Sequence, residues 1–174
     1  KPDLHLSEEE KKTKLVDGRY WVIVAGGKSD FTTKHWVYTR HQEVVNALRK
    51  CGLSFVQAGA RDKDNTKRPA HLHPTLEGVL DLVGKTNIRE LMRLIYHSEG
   101  VICTLTAAMH IAAAFDRPCV VTAGGREEDY WEGYYNQGGS HFGKEASGKV
   151  VAEHKTWYEF YSTTVGEILT PFAR

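Results

Sequence analysis

"GVICTLTAAMHIAAAFDRPCVV", Gly100 to Val121, decides the fold. It opens on an apolar run, "GVICTL", with the length and composition of a buried strand. It closes on a second such run, "PCVVTAGG", which starts at Pro118 and ends in glycines. The stretch between them is too long for a turn and is filled by alanines, Met109, His110 and Ile111, which gives a small-sided helix. Two apolar strands joined through a helix form a parallel crossover, and parallel sheets are covered on both faces.

The same alternation runs outward from this unit. "YWVIVAG" (Tyr20–Gly26), "LSFVQAG" (Leu53–Gly59) and "GVLDLVG" (Gly78–Gly84) are further short apolar strands bounded by glycine. Helix starts are marked by Ser7 with Glu10, Thr39 with Gln42 and Asn87 with Glu90, each a capping-box pattern. Val44, Val45 and Leu48 form the stripe of the second helix, and Gly52 ends it. Ile88, Leu91, Met92, Leu94 and Ile95 keep a helical period in the third. Residues 133–148 are rich in glycine and polar side chains and are expected to be a loop. Residues 156–170 are expected to be a last amphipathic helix. The predicted fold is an α/β, Rossmann-like open parallel sheet with helices on both faces, in a single domain over 1–174.

Composition excludes several classes. With 174 residues and a net charge of +1 the chain has neither the basic surface of a nucleic-acid binder nor a strongly acidic character. No apolar run reaches the roughly 18 residues that a membrane span needs. Cys51, Cys103 and Cys119 lack metal-ligand spacing, and the last two lie in apolar segments as small core residues. A reducing cytoplasm is the expected location, with no nucleic-acid partner, metal or cofactor. The chain starts at Lys1, and the expectation is that it is a piece of something longer.

In open α/β sheets, ligands bind where strands end and helix N-termini present free N–H groups. The strand "GVICTL" brings Thr104, Thr106 and the N–H groups of Ala107 and Ala108 to that edge. No acid occupies the first turn, where the helix dipole would favour one, so an external anion has room. His110 lies four residues beyond Thr106 and so shares its helix face. The structural alternative is an alanine-rich core helix with an ordinary threonine cap and a satisfied histidine.

Other motifs carry less. His71 and His73 in "HLH" have the spacing of two ligands on one strand face, but no third ligand is in register, and a polar loop is expected there. Arg126 in "GGREEDYWE" is placed to reach a phosphate, or else lies in a glycine turn before a capped surface helix. There is no G-x-S-x-G elbow and no Walker A sequence, and "AGGKSD" falls short of the G-x-G-x-x-G of nicotinamide cofactors.

"TAAMHIAAAFDRPCVV" resembles the hallmark segment of family 9 glycosyltransferases, the ADP-heptose:lipopolysaccharide heptosyltransferase family. "VIVAGGKSDFTTKHW", "FVQAGARD" and "LVGKTNIRELMRLIYHSEGVIC" resemble further family segments in the same order, so the likeness covers residues 20–131. The resemblance implies one half of a GT-B fold, the C-terminal half that binds a nucleotide diphosphate sugar, with an ADP-sugar favoured. It implies that Lys34 reaches the donor phosphates, where a cation would stabilise the departing nucleotide. It places Thr106, Ala107 and His110 around the donor, and Gly26 and Gly27 where backbone approaches phosphate or sugar. Leu91 and Met92 match a helix that lines the adenine pocket, or are simple core. Arg61 or Asp62 falls near a ribose-binding glutamate of the family. Leu105 stands where heptosyltransferases carry an acidic residue, and Ala107 replaces a glycine.

The implied reaction is sugar transfer to a hydroxyl of a glycan such as lipopolysaccharide core. The catalytic base would belong to an N-terminal domain that this chain does not contain, and the full enzyme would associate peripherally with a membrane. Two alternatives stay open: a non-catalytic nucleotide or nucleotide-sugar binding module, and an epimerase-like GT-B enzyme acting on UDP-sugars.

Overall fold

A computed structural model describes residues 2–28, 38–61, 71–123 and 148–153. In chain order the elements are α1 (Glu8–Lys12), β1 (Trp21–Val24), β2 (Gly27–Lys28), α2 (Tyr38–Lys50), β3 (Phe55–Gln57) and β4 (His71–Leu72). They continue with β5 (Leu80–Asp81), α3 (Ile88–His97), β6 (Gly100–Thr104), α4 (Ala107–Ala114), β7 (Cys119–Ala123) and β8 (Gly148–Glu153). Six strands form one sheet in the order β5-β3-β1-β6-β7-β8, and every neighbouring pair is parallel. Strand order reverses at β1, with β3 and β5 on one side and β6, β7 and β8 on the other. This is the doubly wound arrangement, whose switch point is the crevice between β1 and β6.

The predicted β–α–β unit is present over Gly100–Ala123, with all five β6 residues buried. Side-chain alternation sorts the core onto two faces. Val22, Val24, Val56, Val101, Cys103, Cys119 and Val121 pack against α3 and α4 through Leu94, Ile95, Ala108, Met109 and Ala112. Ile23, Phe55, Ile102 and Val120 point the other way, onto Val44, Val45 and Leu48 of α2. Burial on both faces explains why these strands read as continuous apolar runs rather than alternating ones.

Both Ser7–Glu10 and Asn87–Glu90 form complete capping boxes. Thr39 does not cap, because α2 is already helical at Tyr38. Gln42 instead reaches across to the 77 loop: its Nε2 donates to the Glu77 carbonyl and its Oε1 accepts from the Glu77 N–H, at 3.1 and 2.8 Å. The end of α2 is as expected. Gly52 takes φ +87° and donates to the Arg49 carbonyl while Leu53 N–H reaches Leu48, a Schellman closure.

Two strands differ from expectation. "GVLDLVG" supplies only Leu80–Asp81, since Gly78 and Gly84 both adopt positive φ and turn the chain. Gly148, assigned to a loop, begins β8, which pairs with β7 through a register shift at Val121/Thr122. Its mixed sequence, GKVVAE, hid it. The remainder of the expected 133–148 loop and the 156–170 helix lie outside the described residues.

Candidate functional site

A cavity of about 420 Å³ opens at the carboxyl ends of β1, β3 and β6. Gly26 contributes from just past β1, Gly27 from β2, Gly59 and Ala60 from just past β3, and Thr104 to Ala108 from the β6–α4 junction. Ile88 and Leu91 of α3 give an apolar wall, and His71 and His73 close the side formed by β4. A mostly apolar lining with a few polar groups, at this size, suits a small organic ligand with a polar head.

The helix mouth is open, as its sequence implies. Thr106 is the N-cap residue of α4, with extended backbone, yet its side chain makes no capping hydrogen bond and no acid follows in the first turn. Its Oγ1 is buried and lacks a hydrogen-bond partner of normal geometry among the described residues. A helix N-terminus left this way keeps its partial positive charge and donors for a ligand. The adjacent Cys103 thiol is held well above its ordinary range by its Cys119 neighbour, Sγ to Sγ 3.7 Å, and by burial, with Thr106 opposing. Both cysteines are buried and reduced, the inert core role their setting predicts.

Five of the seven predicted binding residues therefore meet in one cavity: Gly26, Gly27, Thr104, Thr106 and Ala107. His110 is half-buried one turn deeper on α4 and does not line it. Lys34 lies outside the described residues, as do Asp62 and Arg126. Of the adenine-wall pair, Leu91 faces the cavity while Met92 is core. Leu105 lines the cavity from a buried position, and Arg61 is exposed, its Cβ beside Gly84.

Sequence reasoning missed the histidines. In place of the polar loop that "HLH" predicts, His71–Leu72 pairs antiparallel with Gly27–Lys28, and His73 packs against Gly26 and Gly59 at the ends of β1 and β3. Among the described residues no three His, Cys, Asp or Glu side chains gather as a metal site. The signal available was Gln57, a polar residue inside an apolar strand. It is fully buried, donating through Nε2 to the Pro74 carbonyl at 2.6 Å and accepting from Leu76 N–H at 3.2 Å. A buried amide needs such partners, and here they are the chain just past His73.

The model of glycosyltransferase family 9 (heptosyltransferase) matches residues 1–155. The chain belongs to that family. Lipooligosaccharide heptosyltransferase 2 of Haemophilus influenzae is 28% identical over 128 residues, 72% of this chain and 37% of that protein. Lipopolysaccharide heptosyltransferase 3 of Escherichia coli is 30% identical over 126 residues, 70% of this chain and 36% of that one. The chain thus spans little more than a third of these curated family 9 relatives. Among solved structures, E. coli ADP-heptose lps heptosyltransferase II superposes with a TM-score of 0.63 at 18% identity, over 98% of this chain and 52% of that one. That likeness shows the fold: an open parallel sheet of the GT-B kind, with the family 9 chain spanning about half of its neighbour.

Proposed function

We propose that this chain is the C-terminal, donor-binding half of a family 9 glycosyltransferase. It holds a nucleotide diphosphate sugar, an ADP-sugar by preference, for transfer of the sugar to a hydroxyl of a glycan such as lipopolysaccharide core. The observation that carries this reading is the cavity at the strand-order switch point, where the uncapped mouth of α4 faces the glycine ends of β1 and β3. Relatives named as heptosyltransferases, one of them for ADP-heptose, support the sugar and the nucleotide, and favour a transferase over a non-catalytic binding module.

The chemistry follows from charge. Breaking the bond between sugar and diphosphate leaves negative charge on the nucleotide, and preorganised donors at the place where it develops lower the barrier. The N–H groups at Ala107 and Ala108 supply such donors, Thr106 adds a hydroxyl, and Lys34 supplies a cation. Ile88 and Leu91 give the adenine an apolar wall. The base that deprotonates the acceptor hydroxyl belongs to the other half of the enzyme. The full enzyme works in the cytoplasm, peripherally attached to a membrane; among the described residues no helix is long and apolar enough to cross one.

Calorimetric titration of the 174-residue chain with ADP, UDP, GDP and free heptose tests the reading. ADP is expected to bind tightest and heptose weakest. Lys34→Ala should cost about 1.5–3 kcal/mol of ADP affinity, the range for hydrogen bonds to charged groups, without moving the melting temperature. Equal, negligible heats for all three nucleotides would overturn it.

A further inference from the structure

Neither the helix mouth nor the apolar wall explains why β4 is built as it is. His71 and His73 stand on the cavity side of this strand, while Leu72, between them, points outward and is 51% exposed. A Cβ added at Gly26 would lie closer than 3.0 Å to the Leu72 carbonyl oxygen and to His73 Nδ1. One added at Gly59 would lie closer than 3.0 Å to three atoms of the His73 ring. The imidazole thus occupies a slot between the ends of β1 and β3 that exists only because both residues are glycine. The segment that follows is pinned as well. Gln57 holds Pro74 and Leu76, and Gln42 holds Glu77, through four side-chain hydrogen bonds to backbone. The ladder to β2 fixes the other end.

Among the described lining residues, His71 and His73 carry the only ionisable side chains, and none carries a carboxylate. A ribose diol is met best by a carboxylate acceptor. A neutral imidazole offers one donor and one acceptor, and an anion takes the N–H. We propose that His73 is a ligand-contacting residue of this cavity, fixed by the two glycines and the Gln57 tether, and that its ring N–H donates to the diphosphate of the nucleotide. This assignment rests on the donor-binding function proposed above and adds to it a contact from the residue that follows β4, in the same cavity as the mouth of α4. His71 flanks it one strand repeat nearer β2. The close packing at Gly26 also revises the sequence-based expectation for that residue: its missing side chain admits β4 first, and the ligand only beside it.

The test is calorimetry on the whole chain with ADP and with adenosine, comparing the wild type with His73→Ala and His73→Gln. His73→Ala should weaken ADP about tenfold or more and leave adenosine unchanged. His73→Gln, which keeps an N–H donor of similar reach, should recover part of the loss. If His73→Ala no longer melts cooperatively, the glutamine variant carries the comparison, with weakened ADP and unchanged adenosine expected. ADP affinity within about twofold of wild type in the folded variants overturns the assignment, as does an equal loss for ADP and adenosine. A wild type that binds ADP beside an unaffected variant removes only the role of His73. A wild type that binds no nucleotide removes the donor-site reading and this contact with it.

Discussion

A carboxylate at position 106 should act in opposite senses on the empty and the filled protein. Thr106 leaves its capping role unused, so Thr106→Ala should change the melting temperature little. Thr106→Asp, similar in size, places a favoured capping acid against the positive end of α4 and should stabilise the empty chain by about 0.3–1 kcal/mol. In the complex the same carboxylate competes with the diphosphate for the same N–H groups and repels it. Nucleotide affinity should therefore rank wild type, Thr106→Ala, Thr106→Asp, while thermal stability without ligand ranks Thr106→Asp first. Melting curves and ADP titrations of the three proteins check both orders, and an aspartate variant that binds ADP as well as the alanine one defeats the argument. The mouth was legible because its signal is local: threonines before a helix with no acid in its first turn. His73 was not, because its role depends on Gly26 and Gly59, 47 and 14 residues away, and no local pattern links them.

Helix termini show the same division. Ser7 and Asn87 cap as their spacing predicts, since a capping box is closed within four residues. Thr39 and Gln42 have the same spacing, but the helix starts earlier and Gln42 serves the 77 loop, a partner that spacing cannot show. At Glu10 a local cap also becomes a tertiary tie. Its carboxylate accepts Ser7 N–H at 2.7 Å and takes two hydrogen bonds from Arg89 of α3, at 2.7 and 2.6 Å. The Glu10 main-chain carbonyl meets His97 Nε2 at 3.0 Å, so α1 is fastened to α3 at two points. Hydrogen bonding from Arg89, then from Ser7, lowers the Glu10 carboxyl from 4.5 to about 2. A carboxyl whose folded value is depressed stabilises fully above its unfolded value and loses that contribution as pH falls through its folded one. The melting-temperature advantage of wild type over Glu10→Gln should be full well above pH 4.5, shrink below it, and vanish only as pH falls through about 2. High salt should reduce it, because Arg89 is half exposed. An advantage independent of pH across that window would mean that the pair does not hold α1.

For the whole molecule, the alternation of apolar strands and helices was enough to read a covered parallel sheet, because burial on both faces leaves its mark on every strand. The order of the strands was not readable in that way. It depends on which face each helix covers, with α2 on one side and α3 and α4 on the other. That order brings the ends of β1, β3 and β6 together, so the cavity is lined from three strands and two helices that are distant in sequence. A ligand bound there should act on global stability, not only on the loops around it. A ligand that binds the folded chain alone stabilises it by RT ln(1 + [L]/Kd), about 2.7 kcal/mol at a concentration one hundred times Kd. For a domain of this size each kcal/mol moves the melting temperature by about 2–4 °C. ADP at that excess should therefore raise the transition by roughly 5–11 °C as a single step, while free heptose at the same concentration leaves it in place. Differential scanning calorimetry gives both the shift and the cooperativity. A clear ADP heat at 25 °C with no rise in the transition would place the nucleotide on a part of the chain that melts independently of the sheet, and the cavity at the switch point would then not be its site.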